Sequence, residues 1–176
     1  MARDSEEERQ LGAGHGPYMS VRPAVYADAL LVWLFSNEQT AVERGVRGTR
    51  FSLPEHLEWW DKRFLSPTQL IYMIHDYNAQ PIGFVRYGKC GAGELCDRTD
   101  EAEVSIALAP KSRGVGFGSL SLDETSERAK SLLGVNRLVA LIRPDNIGSI
   151  RTFERSGYRC EGSEKRMGVA LGRWVR

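Results

Sequence analysis

The sequence is poor in disulfide-forming and metal-binding residues, with three cysteines and three histidines among 176 residues. An odd, sparse set of cysteines argues against a disulfide scaffold and favours a protein of the reducing cytoplasm. Cys90 and Cys96 are separated by five residues, not the roughly two to four typical of zinc ligands. His15, His56 and His75 form no His-x-x-x-His pair. We therefore predict no metal site.

Long apolar runs and an excess of one charge are also missing. The longest apolar run, 29–35, is far shorter than the roughly 20 residues that a membrane-spanning helix needs. The acidic N-terminus lacks the apolar stretch of a signal peptide. A formal net charge of +1 gives no overall attraction to nucleic acid or to an anionic membrane. We expect a cytoplasmic protein that has neither as a partner.

The composition that remains is ordinary for a globular protein, with 41% hydrophobic and 27% charged residues. The length favours one domain with a sizeable core. Residues 1–16 are charged and then glycine-rich, which predicts a flexible tail. No repeat or linker divides the rest, so we predict a single domain over 17–176.

Hydrophobic periodicity predicts a chain in which strands and helices are mixed. Apolar residues alternate with polar ones over 101–109, which indicates a strand, whereas helical spacing occurs over 24–35 and 119–133. The predicted order is β-α-α-β-β-β-α-β-α-β-β. Hairpins together with strand–helix alternation favour an α/β fold in which helices cover a mixed sheet.

A glycine-rich turn connects the strand over 101–109 with the helix that follows it. Gly114, Gly116 and Gly118 leave backbone N–H groups uncovered at a helix start, which favours an anion site, and Arg113 adds a guanidinium. No Gly-Lys-Ser/Thr follows, so this is not a P-loop. Ser119 stands where the dinucleotide fingerprint needs its third glycine. A turn without any ligand stays open on spacing alone.

Two segments together resemble a known family. Arg113-Gly-Val-Gly-Phe-Gly118 resembles the R/Q-x-x-G-x-G/A loop of the GNAT superfamily of N-acetyltransferases. The segment 146–158, Asn-Ile-Gly-Ser-Ile-Arg-Thr-Phe-Glu-Arg-Ser-Gly-Tyr, is similar to their N-x-x-(A/S)-x-x-x-(Y/F)-x-x-x-G-(F/Y) helix. The resemblance covers about 19–175. It implies a mostly antiparallel mixed sheet of about seven strands flanked by about four helices.

The resemblance also implies acetyl-CoA as the donor, with direct attack of an amine on the thioester. Amides over 115–119, with Arg113, would hold the pyrophosphate, the strand over 106–108 would line the pantetheine arm, and Asn146 and Ser149 would assist. The residues assigned in this way to acetyl-CoA are Ile106, Ala107, Leu108, Arg113, Gly114, Val115, Gly116, Phe117, Gly118, Ser119, Asn146, Ser149 and Phe153.

The reaction needs a group that removes a proton from the amine, because an alkyl amine is largely protonated near pH 7. Glu103 is the first candidate for this general base, since a Glu has that role at the matching place in some family members. The alternative is that Glu103 lies on a solvated strand edge or pairs with an arginine. Many family members have a Tyr at the position of Phe153 that protonates the leaving thiolate. We therefore expect no general acid at this position of the chain.

The acceptor is expected to contact the first two helices and their loop, as the resemblance implies. Aromatic residues beside arginines suit a ring attached to phosphate, although a solvated loop and core tryptophans would explain the same residues. The acceptor candidates are Arg44, Arg47, His56, Trp60 and His75.

Ser36-Asn-Glu, followed by Ser52-Leu-Pro-Glu-His-Leu-Glu-Trp-Trp60, resembles the UDP-4-amino-sugar N-acetyltransferases of pseudaminic acid biosynthesis. This resemblance makes a nucleotide-linked amino sugar the expected acceptor. Three other functions stay open: acetylation of peptide N-termini, acetylation of an aminoglycoside-type amine, and a non-enzymatic acetyl-CoA sensor. The resemblance also leaves room for a homodimer.

Overall fold

The computed structural model describes residues 18–90 and 98–176, so the predicted tail over 1–16 and Cys96 lie outside the described residues. The strands are β1 (Met19–Pro23), β2 (Gln69–Asp76), β3 (Pro81–Lys89), β4 (Glu101–Leu108), β5 (Arg137–Ile142), β6 (Arg159–Arg166) and β7 (Val169–Val175). The helices are α1 (Ala29–Ser36), α2 (Gln39–Arg44), α3 (Leu53–Phe64), α4 (Phe117–Leu133) and α5 (Ile147–Arg155), with short 3-10 turns at Tyr26–Asp28 and Pro110–Ser112.

The seven strands form one sheet in the order β1-β2-β3-β4-β5-β7-β6. Every neighbouring pair is antiparallel except β4 and β5, which are parallel. The predicted mixed α/β fold with a mostly antiparallel sheet is therefore confirmed. The parallel pairing joins only Glu101, Ala102 and Glu103 to β5. Beyond Glu103 the two strands separate, and this separation opens the sheet in its middle.

Helices cover both faces of the sheet because β2 and β3 carry apolar side chains on both sides. One face packs on α4 and α5 through a cluster that includes Val85, Val104 and Leu122. The other face packs on α1 and α3 through a cluster that includes Trp60 and Met73. Burial of such side chains removes apolar surface from water, which stabilises the fold by about 25 cal/mol for each Å² buried.

The start of α3 follows directly from its sequence. Ser52 is the N-cap, and its Oγ accepts a hydrogen bond from the backbone N–H of Glu55, whose carboxylate accepts one from the N–H of Ser52 at 2.8 Å. This reciprocal arrangement satisfies two backbone donors that the helix leaves unpaired. It fixes the entry into α3 and ends the preceding loop at Ser52.

The structure contains five described α-helices where the sequence predicts about four. The additional helix is α2, which has six residues and buries none of them. Its side chains show no apolar face, so periodicity could not find it. The N-cap Glu38 stabilises it by accepting hydrogen bonds from the N–H groups of Thr40 and Ala41, each at 3.2 Å. In the described residues, none of the helices has the length and apolarity that crossing a membrane requires.

Candidate active site

A cavity of about 710 Å³ lies on the α1–α3 side of the sheet and reaches the opening between β4 and β5. Its floor comes from β3 and β4, its wall from α1, α3 and the segment 40–49, and its far end from the glycine turn and α5. The elements that carry the two sequence motifs therefore meet at one cavity. This is the arrangement expected of a binding site for small molecules.

The opening in the sheet exposes backbone groups of β4. Glu101 O accepts from Cys90 N at 2.9 Å and Ala109 N donates to Ile82 O at 2.8 Å, so odd-numbered residues of this strand bond to β3. Even-numbered residues therefore direct their N–H and C=O groups to the β5 side. Val104 and Ile106 have no β5 partner there. This strand edge can hydrogen-bond an extended amide-bearing arm, as the sequence predicts for 106–108.

The glycine turn has the geometry of an anion cradle. Gly114 and Gly116 have φ of 79° and 103°, in the left-handed region that side chains disfavour. Gly116 is the N-cap of α4, and no side chain caps that helix, so its first N–H groups remain available to an anion. A Cβ on Gly118 would meet Thr152 Cγ2 at 2.8 Å. The absence of a side chain thus brings α4 close to α5.

Not every predicted residue of the turn borders the cavity. Gly114, Gly116, Gly118 and Ser119 do, together with Ile106, Ala107 and Leu108 from β4. The side chain of Val115 is 52% exposed, and Phe117 packs against the core of the α4 face. Any contact of these two residues with a ligand must therefore come from their backbone.

Arg113, predicted to bind phosphate, uses two of its three guanidinium nitrogens within the protein. Its Nε donates to the carbonyl of Leu108 at 3.0 Å, and its Nη2 donates to Oε2 of Glu38. The side chain therefore ties the end of β4 to the N-cap of α2. It borders the cavity, but its charge already has a carboxylate partner.

The start of α5 contributes Asn146 and Ser149 to the cavity. The Oδ1 of Asn146 accepts a hydrogen bond from the N–H of Ser149 at 3.2 Å, so this side chain caps its own helix. Phe153 is 3% exposed and packs edge-on against Tyr158, with ring centroids 4.9 Å apart. It borders the cavity from within the core, and a phenyl ring cannot supply a proton.

The two glutamates of β4 have different surroundings although they share one face of the strand. Glu103 borders the cavity, and its Oε2 accepts a hydrogen bond from Arg166 Nη1 at 2.6 Å. Glu101 is 1% exposed and accepts hydrogen bonds from Arg173 Nη2 at 2.5 and 2.6 Å. Glu101 therefore belongs to a buried ion cluster and does not border the cavity. Glu103 is the carboxylate that a bound amine could reach.

Three of the five acceptor candidates border the cavity: Arg44, Arg47 and His56. His56 Nε2 donates to the carbonyl of Ala29 at 2.8 Å and joins α3 to α1; burial lowers the pKa of this imidazole, which favours its neutral form. Two candidates are corrected. Trp60 is 0% exposed in the α1–α3 core, and His75 lies on β2 opposite Ser20 of the edge strand β1, so neither borders the cavity.

The cavity is also bordered by Trp59 on the α3 wall and by Arg86 and Ser105 on the floor, to which the sequence pattern gave no role. Arg86 lies opposite Ser105 in the β3–β4 register and places its guanidinium 5.5 Å from the ring centroid of Trp59. A signal was available, because Arg86 is a lone charge within an otherwise apolar and small-residue strand, Pro81–Tyr87. Among described residues, no three His, Cys, Asp or Glu side chains converge as metal ligands would.

Comparison with known proteins agrees with this geometry. The model of the acetyltransferase (GNAT) domain family matches residues 19–159. A protein of Bacillus subtilis (strain 168), named putative phosphinothricin acetyltransferase YwnH, is 28% identical over 141 residues, which cover 80% of this chain and 83% of that protein.

Solved structures show the same fold. An aminoglycoside acetyltransferase AAC(6')-Ib in complex with coenzyme A superposes with a TM-score of 0.76 at 19% identity, covering 90% of this chain and 94% of that one. A spermidine N-acetyltransferase from Vibrio cholerae, with CoA and spermine, gives a TM-score of 0.73 at 16% identity and the same coverage. The family match, spanning most of the chain, shows that the protein belongs to the GNAT family of acetyltransferases and is an acetyl-CoA-dependent N-acetyltransferase.

Proposed function

We propose that the protein acetylates the primary amine of a small anionic molecule. The observation that carries this proposal is the charge of the cavity. Of the charged residues described there, six are arginines and one, Glu103, is a carboxylate. The arginines are Arg44, Arg47, Arg86, Arg113, Arg151 and Arg155. A cavity of one sign attracts a ligand of the opposite sign and repels one of its own.

This charge favours some acceptors over others. A nucleotide-linked amino sugar, the acceptor that the sequence over 36–60 suggests, has a diphosphate that arginines can bind in a bidentate manner. An acidic amino-acid analogue is the second candidate, and the name of the Bacillus subtilis relative supports it. Polycations such as spermidine or an aminoglycoside would need carboxylates where this chain has arginines, so the charge disfavours them.

The residues present fit acetyl-CoA as the donor. The uncapped start of α4 at Gly116 suits the pyrophosphate, and the unpaired edge of β4 at Val104 and Ile106 suits the amide-bearing arm. The cofactor supplies an activated acetyl thioester when bound. The opening between β4 and β5 would then direct that thioester towards the cavity in which Glu103 lies.

In the proposed reaction Glu103 removes a proton from the bound ammonium group, directly or through one water molecule. The neutral amine then attacks the thioester carbonyl; a C–N bond forms, the C–S bond breaks, and the nitrogen gives its second proton to water as the amide forms. CoA departs as a thiolate and takes up a proton from that water, since Phe153 cannot supply one, and Glu103 returns its proton to solvent. Arg166 holds Oε2 of Glu103 and leaves Oε1 without a hydrogen bond from the described residues, so Oε1 is the atom we assign to the proton.

The test is CoA release from acetyl-CoA with a panel of amines at equal concentration. The panel contains a UDP-4-amino-4,6-dideoxy sugar, phosphinothricin, kanamycin, spermidine and a short peptide. We expect the two anionic amines to give the highest kcat/KM, and Glu103→Gln to lower kcat for them by about 10²-fold or more. Glu161→Gln, on an exposed strand, is the matched control. Preference for kanamycin or spermidine would overturn the proposal.

A further inference from the structure

We propose that Arg86, seated against Trp59, is the subsite that binds a carboxylate placed on the carbon next to the acceptor's amine. This inference rests on the proposed function, because it assigns one arginine of the cavity to one group of the anionic acceptor. It also selects between the two candidate acceptors, since only the amino-acid type has an anion beside its amine.

The guanidinium of Arg86 is held in place on two sides. Its Cζ lies 5.5 Å from the ring centroid of Trp59, within the range of a cation–π contact. Its Nε is 3.4 Å from the Oγ of Ser105, at the limit of a hydrogen bond. These contacts occupy one face and one edge of the planar group. The two Nη atoms have no hydrogen-bond partner among the described residues and remain for a ligand.

Arg86 differs from Arg47 and Arg113, two other arginines that border the cavity, in its lack of an anion. Arg47 Nη2 lies 3.6 Å from Glu55 Oε1, and Arg113 pairs with Glu38. No carboxylate of the described residues lies within ion-pair distance of Arg86, although this side chain is half-buried on the cavity floor. A partly buried cation without a counter-ion is costly, and an anionic ligand group would remove that cost.

The position of Glu103 gives the spacing between the two functional groups. Arg86 pairs with Ser105 across the β3–β4 ladder, and Glu103 is two residues from Ser105 on the same face of β4. Such diagonal neighbours have backbones about 7–8 Å apart, within reach of long side chains. An amine at Glu103 and a carboxylate at Arg86 therefore fit one α-amino acid. In a nucleotide-linked 4-amino sugar the hexose ring separates the amine from the first phosphate.

The experiment compares phosphinothricin with its α-carboxamide, which keeps the amine and the phosphinate but lacks the carboxylate. The measured quantity is the acid/amide ratio of kcat/KM with acetyl-CoA. We expect the native protein to prefer the acid, and Arg86→Gln to lower the ratio about 10- to 100-fold, the usual effect of a charge-assisted hydrogen-bonded pair. Arg86→Lys keeps the charge but not the planar fork, and should lower the ratio less.

The matched control is Arg128→Gln, which removes an arginine lying 6.0 Å from the ring of Tyr72, on the α4 side of the sheet. It should leave the ratio unchanged. An unchanged ratio in both Arg86 variants overturns the inference. If the UDP-linked amino sugar is then the best acceptor, the proposed function stands without this subsite; if spermidine or kanamycin is best, the proposed function fails as well.

Discussion

Glu38 and Arg113 are 75 residues apart in the chain, and their side chains form an ion pair that joins the N-cap of α2 to the glycine turn. Burial opposes the ionisation of Glu38, but Arg113 and the N–H groups of Thr40 and Ala41 outweigh it, and the pKa of Glu38 is below its usual value. The pair connects the wall of the acceptor cavity with the turn that suits the cofactor's pyrophosphate. The position of the acceptor wall therefore depends on the position of the glycine turn.

Glu38→Gln should weaken both halves of the site. The substitution removes the charge that pairs with Arg113 and weakens the cap of α2, at a cost of about 1 kcal/mol in the free energy of unfolding. We expect KM to rise for the acceptor and Kd to rise for acetyl-CoA, as measured by steady-state kinetics and calorimetry. Glu43→Gln, on the same helix, removes an exposed carboxylate that bonds only Gln39 among the described residues, and should change neither.

The pH dependence of this link follows from its direction. A carboxyl group whose pKa is lowered on folding contributes stability that is present above the unfolded pKa, near 4.5, and is lost as pH falls through the folded pKa. Glu38→Gln should therefore bring the Tm of the variant and of the native protein together as pH falls from about 4.5 through the lowered folded pKa. A difference in Tm that stays the same from pH 7 through this acid range would contradict the ion pair.

Gly118 should resist substitution because of one contact. Its missing Cβ would lie 2.8 Å from Thr152 Cγ2 and 3.6 Å from Leu108 Cδ1. Thr152 cannot easily turn away, since its Oγ1 donates to the carbonyl of Gly148 at 2.9 Å. We expect Gly118→Ala to cost about 1–3 kcal/mol of stability and to lower acetyl-CoA affinity, because α4 and α5 must separate. Urea unfolding and calorimetry would measure the two effects.

A second substitution should restore the stability that Gly118→Ala removes. Thr152→Ser removes the methyl group and keeps the hydroxyl donor, so the pair Gly118→Ala with Thr152→Ser should recover most of the lost stability. Gly148→Ala is a control for glycine replacement as such, since only Asn146 Oδ1, at 4.0 Å, is near its added Cβ. That change should leave Tm unchanged or raise it. A double variant as unstable as Gly118→Ala would place the strain elsewhere.

These contacts show what the sequence could and could not predict. The glycine turn, the cap Asn146 and the alternating strand β4 depend on local pattern, and each appears where the pattern puts it. The partner of Arg113 lies in a different part of the chain, and local spacing has no information about it. The choice between Trp59 and Trp60 depends on the rotation of α3 against the sheet. The polar strand β6 has no apolar alternation, so hydrophobic periodicity does not define its bounds.

Glu101 should be a stability residue, not a catalytic one. It is buried with Arg173. Burial lowers the pKa of that guanidinium, but Glu101 and Glu161 raise it by more, so Arg173 keeps its charge. Glu101→Gln leaves that guanidinium with one fewer carboxylate in the interior and should cost about 3–5 kcal/mol in urea unfolding. Glu161→Gln removes a half-exposed member of the cluster and should cost about 1 kcal/mol or less. Similar losses for the two variants would contradict this difference.

His56 should make the protein less stable in mild acid. Burial lowers the pKa of its imidazole in the folded state, so the unfolded chain binds the proton more tightly. The stability contribution is present above the unfolded pKa, near 6.5, and is lost as pH falls below it. We expect His56→Gln to flatten the dependence of Tm on pH between about 7.5 and 5.5. His75→Gln is the comparison variant, because burial lowers the pKa of that imidazole too. If His56→Gln leaves the dependence of Tm on pH unaltered, His56 is not a source of the acid sensitivity.

Arg166 should orient the proposed base. Burial opposes its charge, but hydrogen bonds to Glu164 and Glu103 outweigh burial and raise the pKa of the guanidinium. Its bond to Oε2 holds the carboxylate of Glu103 in one orientation, and without that bond the carboxylate can rotate away from a bound amine. Arg166→Gln should therefore lower kcat about 10-fold or more and change KM less, as measured by steady-state kinetics.

The control separates this effect from a general loss of structure around the β6–β7 hairpin. Glu164 accepts from Arg166 Nε at 2.6 Å, whereas Glu103 accepts from Nη1, so Glu164→Gln removes one carboxylate and keeps the bond to Glu103. It should leave kcat near the native value even if it lowers Tm. If Arg166→Gln leaves kcat unchanged, or if both variants lower kcat equally, then Arg166 does not act by positioning Glu103.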